Sequence, residues 1–343
     1  MPFQGAYSPI DKGDQKQIEK GGEALREFWM SSSPHIRAAR DTRRVMSFVI
    51  IALIPPLVAG VYFFGMRALI LAIVCVLSCV GAEYGIRRLL KKESSIGDLS
   101  AVVTGLITAL ILPPTMPIWM TIVGCVFAIV VVKEFFGGLG KNIFNPAASA
   151  RVFLMSAWPA FTNAYIEPRP FFSKDWFSVV DGVTSATPHL RKLSEMTITK
   201  GWDAIGKLFW GNISGSMGET SAFAILLGGI FLLATGIIRW EIPATYLGLS
   251  VLLALLGNYN PAYYLFAGGL MFGAFFMATD YVTSPRTFWG RVLFGAGLAV
   301  LTFVIRRFGS LPEGVVYSIL IMNGFTPLIN SLIKPRVFGK VKK

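Results

Sequence analysis

Long runs of hydrophobic residues alternate with short polar connections along most of the 343-residue chain. The runs are continuous rather than amphipathic, which favours helices that cross a bilayer over helices that cover a soluble core. Ten such apolar segments can be drawn, at residues 46–64, 68–86, 99–112, 118–136, 142–158, 221–238, 242–257, 262–279, 288–305 and 315–333. The pattern therefore predicts an all-α polytopic membrane protein with about ten transmembrane helices.

The polar stretches divide the chain into five parts. A long polar loop separates two groups of five segments, and polar ends flank them. The expected parts are a cytoplasmic N-terminal segment at 1–45, a first membrane half at 46–158, an extracytoplasmic loop at 159–220, a second membrane half at 221–333 and a basic cytoplasmic tail at 334–343.

Two of the ten segments are short and interrupted, and they occupy matching positions in the two halves. The third segment, 99–112, runs into three prolines, and the eighth, 262–279, ends in Asp280 and a polar run. Breaks at matching positions predict a 5+5 inverted repeat with discontinuous third and eighth helices. The alternative is that both are ordinary helices ended by proline or polar residues.

Composition and charge support the membrane interpretation. Hydrophobic residues make up 54% of the chain and charged residues 15%, and the mean hydropathy is +0.60, which excludes a water-soluble domain. The net charge of +13 lies in short clusters beside apolar segments. These clusters are at 37–44, 87–92 and 334–343. By the positive-inside bias they place both termini in the cytoplasm. Arg306 and Arg307 oppose this scheme, because it places them outside. The same placement argues against nucleic-acid binding.

The loop 159–220 is the one long polar stretch between apolar segments. It carries six acidic and six basic residues, a balance that suits the outer side of the membrane. Its aromatic residues, which include Phe171, Trp176 and Phe209, indicate that it packs on another surface rather than acting as a linker. Loops of this length usually have a function.

Within the loop, residues 181–188 read DGVTSATP. From the residue types alone this is a turn, because glycine and proline bracket small hydroxyl residues. Three other stretches are distinctive: GGLGKNIFNPA at 137–147, GSMGETS at 215–221 and FMATDYVTSPR at 276–286. In this order and spacing, with ten apolar segments, the sequence resembles the NqrB and RnfD family of membrane subunits. Its length resembles RnfD rather than the longer NqrB.

The resemblance implies that FMN is joined through its phosphate to the Thr187 hydroxyl by a separate flavin transferase. Thr184, Ser185 and Ala186 would form the small-residue surroundings of this acceptor, although Ser185 stands where the family commonly has glycine. Asp181 either orients the turn or is a solvated carboxylate. A covalent tether would hold the flavin at high effective concentration, and the ring would perform the electron transfer.

The glycine-rich segment 137–147 is expected at the inner boundary of the fifth helix. The resemblance implies that its amides, with Asn142 and Asn145, receive a second, noncovalent flavin such as riboflavin. Amides that lack partners are costly in an apolar environment, so a bound ligand is physically reasonable. The alternative is that Asn142 and Asn145 only cap a helix.

Other ionisable and sulfur side chains lie in or beside apolar segments. Cys75, Cys79 and Cys125 are interpreted as small packing residues rather than metal ligands, since two thiolates on one face supply half a tetrahedral site. Ionisable residues near segment ends are assigned to the membrane interface, with an ion path as the alternative. These residues are Glu83, Glu134, Arg151 and Asp280.

The predicted function is a subunit of an Rnf-type complex in a prokaryotic inner membrane. Such a complex couples electron flow between ferredoxin and NAD⁺ to Na⁺ or H⁺ translocation. Partner subunits would carry iron–sulfur centres and a second flavin, and the other contacts would be with membrane lipid. The chain has no catalytic residue of its own in this interpretation. The alternatives are an NqrB-like quinone reductase subunit and a small-solute transporter or channel.

Overall fold

The computed structural model describes residues 42–169, 171–172, 176, 202–309 and 314–334. The predictions for residues 181–188, including Thr187, and for both chain ends lie outside the described residues. Every regular element among the residues described is helical.

Five helical units form the first half, one for each predicted apolar segment. The second and third units are joined through a 3₁₀ turn at Ile96–Asp98, and the fourth continues as a π-helix over Phe127–Glu134. The helices are α1 (Thr42–Phe64), α2 (Met66–Leu89), α3 (Ser100–Ile111), α4 (Ile118–Val126) and α5 (Pro146–Ala157).

The second half also has a helical unit for each predicted segment. Two short helices, α6 (Pro159–Thr162) and α7 (Trp202–Trp210), belong to the connection between the halves. They are followed by α8 (Ala222–Ala234), α9 (Glu241–Leu256), α10 (Pro261–Phe266), α11 (Leu270–Phe272, continued as a π-helix over Gly273–Met277), α12 (Phe288–Phe308) and α13 (Gly314–Leu332).

Four of these helices, α1, α2, α12 and α13, are long and apolar enough to cross a membrane. Their outward faces carry large hydrophobic side chains such as Val58, Leu77 and Leu328, each more than half exposed. In water such surfaces would associate, whereas lipid covers them without cost. The chain is therefore an all-α, multi-pass membrane protein, as predicted, and ten crossings remain a prediction.

The third and eighth segments are the irregular ones, as expected, but their breaks lie at their N-terminal sides. Leu99, in the left-handed conformation with φ 63°, separates the 3₁₀ turn from α3. Gly269, with φ 65°, stands at the start of α11 after an interruption that begins at Ala267. The third segment also ends just before Pro113. It therefore has both an irregular start at Leu99 and an end set by proline.

Helices that hold equal places in the two halves pack against each other. The first helix of each half, α1 and α8, are in contact, and so are the last, α5 and α13. Gly228 of α8 permits this approach, because a Cβ there would overlap the Ala52 carbonyl oxygen of α1. Pairing of equivalent elements agrees with a twofold relation between the halves.

Arg306 and Arg307, which oppose the charge scheme, have structural partners at the break in the eighth segment. The Arg306 guanidinium donates to the carbonyl oxygens of Tyr264 (3.1 Å), Ala267 (3.1 Å) and Gly268 (2.6 Å). Arg307 donates to the Tyr259 hydroxyl at 2.7 Å. The break leaves carbonyls without helical partners, and Arg306 satisfies them, so these cations are placed by local structure.

Candidate functional site

A pocket of about 760 Å³, measured to its open mouth, lies between the two halves. Its apolar walls come from α1, α3, α8 and the π-helix after α11, and its polar groups come from several separate segments. These polar residues are Ser100, Thr104, Lys133, Asn142, Asn145, Thr279, Asp280 and Tyr281.

Asn145 joins the two halves at the pocket wall. Its Oδ1 accepts from the Ala148 amide at 3.1 Å, which makes it the N-cap of α5, and Pro146 follows in the favoured first helical position. Its Nδ2 donates to the Met277 carbonyl oxygen at 3.2 Å. Asn145 therefore does cap α5. One Nδ2 hydrogen and one Oδ1 lone pair still remain for a ligand.

Asn142 lies in the turn before α5 rather than inside the helix, because the fifth helix begins at Pro146 instead of at residue 142. Its side chain is 6% exposed and donates to the Phe144 carbonyl oxygen at 3.2 Å. The preceding glycines Gly137 and Gly138 have φ of 109° and 90°, which only glycine adopts at little cost. This glycine turn brings both asparagines to the pocket.

Lys133 brings a cation to the pocket lining, and it is 2% exposed. Its Nζ lies 2.9 Å from Glu83 Oε2 and 2.6 Å from Ser100 Oγ. Asp98 accepts from the Ser100 amide at 2.8 Å, so the start of α3 is tied to the same cluster. An ammonium with these partners is stably held in the protein interior, where an isolated charge would be very costly.

A second ion pair extends this cluster away from the pocket. Arg87 Nε lies 3.1 Å from Glu134 Oε1 and 3.8 Å from Glu83 Oε1, and Ser95 Oγ also donates to Glu83. Glu83 and Glu134 are 0% and 1% exposed. Each of these two carboxylates is therefore buried against a cation from another helix.

Sequence reasoning missed Lys133. The available signal was a Lys-Glu pair at the end of an apolar segment, opposite an acidic residue, Glu83, inside another. A buried cation in a membrane helix requires a counter-ion, which makes such pairs detectable in principle.

Asp280 lies in the pocket lining just after the π-helix that ends at Met277. The surrounding protein raises the pKa of this carboxyl group by desolvation, while hydrogen bonds from the Val282 amide and the Thr283 hydroxyl lower it less. Asp280 therefore belongs to the pocket lining.

Arg151 lies elsewhere, on α5, and is 1% exposed. Its Nη2 donates to the Tyr165 hydroxyl at 3.1 Å and lies 3.9 Å from Glu219 Oε1. Tyr165 and Glu219 belong to the two ends of the loop 159–220, and this buried cation therefore holds both ends together.

Two aromatic residues of the loop pack on the C-terminal end of α1. The Phe171 ring stacks on the Tyr62 ring with centroids 4.7 Å apart, and Trp176 Nε1 donates to the Tyr62 carbonyl oxygen at 3.0 Å. The prediction that loop aromatics pack on another surface is confirmed for these two residues. Asp181, Thr184, Ser185, Ala186 and Thr187 are not among the described residues.

Cys75, Cys79 and Cys125 are buried free thiols within the hydrophobic core, as the packing interpretation predicts. Over the described ranges, no group of three or more histidine, cysteine or acidic residues is arranged to hold a metal ion.

The fold and this pocket define a polytopic membrane protein with a partly polar pocket between two packed halves and a buried ion cluster beside it. Residues 29–339 match the NQR2, RnfD, RnfE family, and the chain belongs to that family.

Curated relatives agree over nearly the whole chain. The chain is 45% identical over 319 residues, 92% of this chain and 96% of the relative, to the D subunit of the Na⁺-translocating ferredoxin:NAD⁺ oxidoreductase complex of Acetobacterium woodii. It is 41% identical to the D subunit of the proton-translocating ferredoxin:NAD⁺ oxidoreductase complex of Clostridium ljungdahlii, covering 91% of this chain and 96% of the relative. It is 36% identical to the D subunit of the ion-translocating oxidoreductase complex of Vibrio cholerae, covering 91% and 99%.

Proposed function

We propose that this chain is the membrane electron-transfer subunit of a complex that couples electron flow between ferredoxin and NAD⁺ to Na⁺ or H⁺ translocation. The observation that carries the proposal is its similarity to the D subunits of such complexes over more than nine-tenths of its length. Partner subunits supply the iron–sulfur centres and a further flavin. Both termini lie in the cytoplasm, and the loop 159–220 lies outside.

The first flavin is FMN, joined through its phosphate to the Thr187 hydroxyl by a flavin transferase. The support is the motif itself, in which small residues at 184–186 leave that hydroxyl accessible. The loop is held before Thr187 by Trp176, which donates to the Tyr62 carbonyl oxygen, and after it by Glu219, which lies 3.9 Å from Arg151. Such anchoring keeps a tethered group close to the protein surface instead of letting it sample a large volume.

Thr187→Ala tests the attachment site, and Thr184→Ala is the matched control within the same motif. Thr187→Ala should remove all covalent flavin fluorescence from the denatured gel band while the protein stays in the membrane, because only the acceptor oxygen is lost. Thr184→Ala should keep it. Mass spectrometry of the 181–191 peptide should place FMN on Thr187. Flavin on Thr184, or an unmodified wild-type peptide in cells with the transferase, would contradict the assignment.

The second flavin, riboflavin or a similar one, occupies the pocket between the halves. The residues present fit it: apolar walls including Phe275 and Phe276 suit an aromatic ring, and few polar groups converge from different segments. Asn142 and Asn145 retain hydrogen-bonding capacity for the polar edge of such a ring. A bound flavin would supply one- and two-electron transfer, and the protein would supply position and electrostatics.

The residues of the chain have distinct tasks in this arrangement. Asn145, held by α5 and by the Met277 carbonyl oxygen, fixes the pocket edge against both halves. Lys133 places its ammonium group at the wall, where it pairs with the Glu83 carboxylate. The apolar side chains of α3 exclude water, which strengthens the electrostatic effect of Lys133 on a bound ligand.

The pocket is tested with Asn142→Leu and Asn145→Asp. Aspartate keeps the oxygen that caps α5 but loses the Nδ2 donor, so the variant removes the bond to the Met277 carbonyl oxygen together with any ligand contact, and assembly of the complex is checked first. Asn260→Asp is the matched control, because Asn260 caps α10 in the same way and is outside the pocket lining.

In the purified complex, Asn142→Leu and Asn145→Asp should lower the noncovalent flavin released on denaturation, and the control should not. The covalent flavin serves as internal standard. Unchanged release from both pocket variants in an intact complex would show that this segment is only a helix cap, and would leave the Thr187 assignment untouched.

A further inference from the structure

A second, basic cleft of about 650 Å³ adjoins the pocket, with which it shares Ile237, Thr279 and Tyr281. Three arginines line it. Arg239 precedes α9, Arg286 precedes α12, and Arg291 lies in the first turn of α12. Helices α9 and α12 both begin here, so the positive ends of two helix dipoles add to the arginine charge.

The charge in this cleft is only partly compensated by the protein. Arg291 pairs with Glu241 at 2.9 Å and donates to the Arg286 carbonyl oxygen at 2.7 Å, while its Nε has no hydrogen-bond partner among the described residues. The guanidinium groups of Arg239 and Arg286 have no carboxylate partner in the part of the chain that the structure describes, and both residues are exposed. Three cations against one carboxylate leave a net charge of about +2 in the cleft.

The rim of the cleft is aromatic. Trp240 and Trp289 are 60% and 68% exposed, and Phe288 between them contacts both, with ring centroids at 6.2 and 5.3 Å. Exposed tryptophans in a membrane protein concentrate at the headgroup level of the bilayer. The cleft therefore opens at the membrane interface rather than into bulk water.

One face of α12 continues from this rim into the apolar region. Trp289, Leu293, Val300 and Val304 are exposed and recur at helical spacing, so they form one stripe along the helix. A ligand with an anionic head in the cleft would pair with the arginines, and its hydrocarbon chains would cover this apolar stripe.

We propose that this cleft binds the phosphodiester headgroup of an anionic phospholipid. Arg239 and Arg286 contact the phosphate oxygens, since a guanidinium presents paired donors that match phosphate geometry. The Ser284 hydroxyl in the cleft lining adds a neutral donor. The acyl chains lie against the α12 stripe. Free phosphate shares the headgroup chemistry but has nothing to place against the tryptophans or the stripe.

The test uses the purified complex with Arg239→Gln and Arg286→Gln combined, which leaves the Arg291–Glu241 pair intact. Lys91→Gln with Lys92→Gln is the matched control, because these lysines are exposed basic residues outside the cleft. Native mass spectrometry measures phosphatidylglycerol retained in competition with phosphatidylcholine. Loss of two arginines that contact the phosphate should reduce phosphatidylglycerol retention by roughly thirtyfold, whereas the lysine control, which removes only long-range attraction at the same membrane face, should reduce it by less than about fivefold.

Three outcomes would overturn the proposal. One is unchanged phosphatidylglycerol retention in the arginine variant, and another is equal loss in the lysine control. The third is displacement of the lipid by millimolar inorganic phosphate, which would identify a phosphate site instead. Loss of a partner protein from the arginine variant with lipid retention unchanged would assign the cleft to a protein interface.

Discussion

Replacing Lys133 with methionine tests whether the buried ion cluster beside the pocket stabilises the fold. In the variant, Glu83 keeps only Arg87, whose Nε is 3.8 Å away, and the Ser95 hydroxyl. Removing one partner of a buried pair typically costs about 3–5 kcal/mol. Because Arg87 partly compensates, we expect about 3 kcal/mol for Lys133→Met.

The reverse change, Glu83→Met, should lower the free energy of unfolding more, by about 5 kcal/mol. The reason is that Lys133 then keeps only the neutral Ser100 hydroxyl, at 2.6 Å. The double variant removes both charges. Its cost should fall short of the sum of the single costs by about 2 kcal/mol or more, as expected for groups in direct contact.

The free energy of unfolding is measured by denaturing-detergent titration in mixed micelles, followed by tryptophan fluorescence and extrapolated linearly. Lys92→Met, an exposed lysine after α2, is the control and should lie within about 0.5 kcal/mol of wild type. The reasoning is refuted if Lys133→Met matches this control, or if the two single costs simply add in the double variant.

Two further predictions concern topology and helix packing. A cysteine at Ser194 should react with a membrane-impermeant thiol reagent in intact cells or spheroplasts, whereas one at Lys92 should react only after lysis; the opposite pattern would reverse the topology. Gly228→Val should destabilise the fold by about 1–3 kcal/mol or more, since a Cβ there overlaps the Ala52 carbonyl oxygen. Gly248→Val, where a Cβ meets nothing within 4 Å, controls for helix propensity; equal effects would disprove the α1–α8 contact.

The asparagines at 142 and 145 show which features the local sequence pattern predicts and which it does not. Asn145-Pro146 is a helix start in any context, because the side chain caps the helix and proline favours its first position. The donation from Asn145 to Met277, 132 residues away, has no local signature. A noncovalent ligand site at these asparagines was predicted from family resemblance, and the pocket that supports it is formed by segments from both halves.

The break in the eighth segment also has no signature in the local sequence pattern. Ala267, Gly268 and Gly269 belong to a continuous apolar segment in the sequence pattern, because alanine and glycine are common in membrane helices. The interruption persists because Arg306, about forty residues later, satisfies the freed carbonyls. This structural role explains why a cation is present at position 306, where the positive-inside pattern does not predict one.

The sequence alone determined the class of the protein and the positions of its helices. A bilayer requires each spanning segment to be apolar and its backbone hydrogen bonds to be satisfied, and an unbroken helix meets both demands within the segment. The tertiary structure decided which buried charges meet, where the helices break and where the pocket lies. Lys133 and Glu83 are 50 residues apart, and only the packing of helices that carry them brings opposite charges within 2.9 Å.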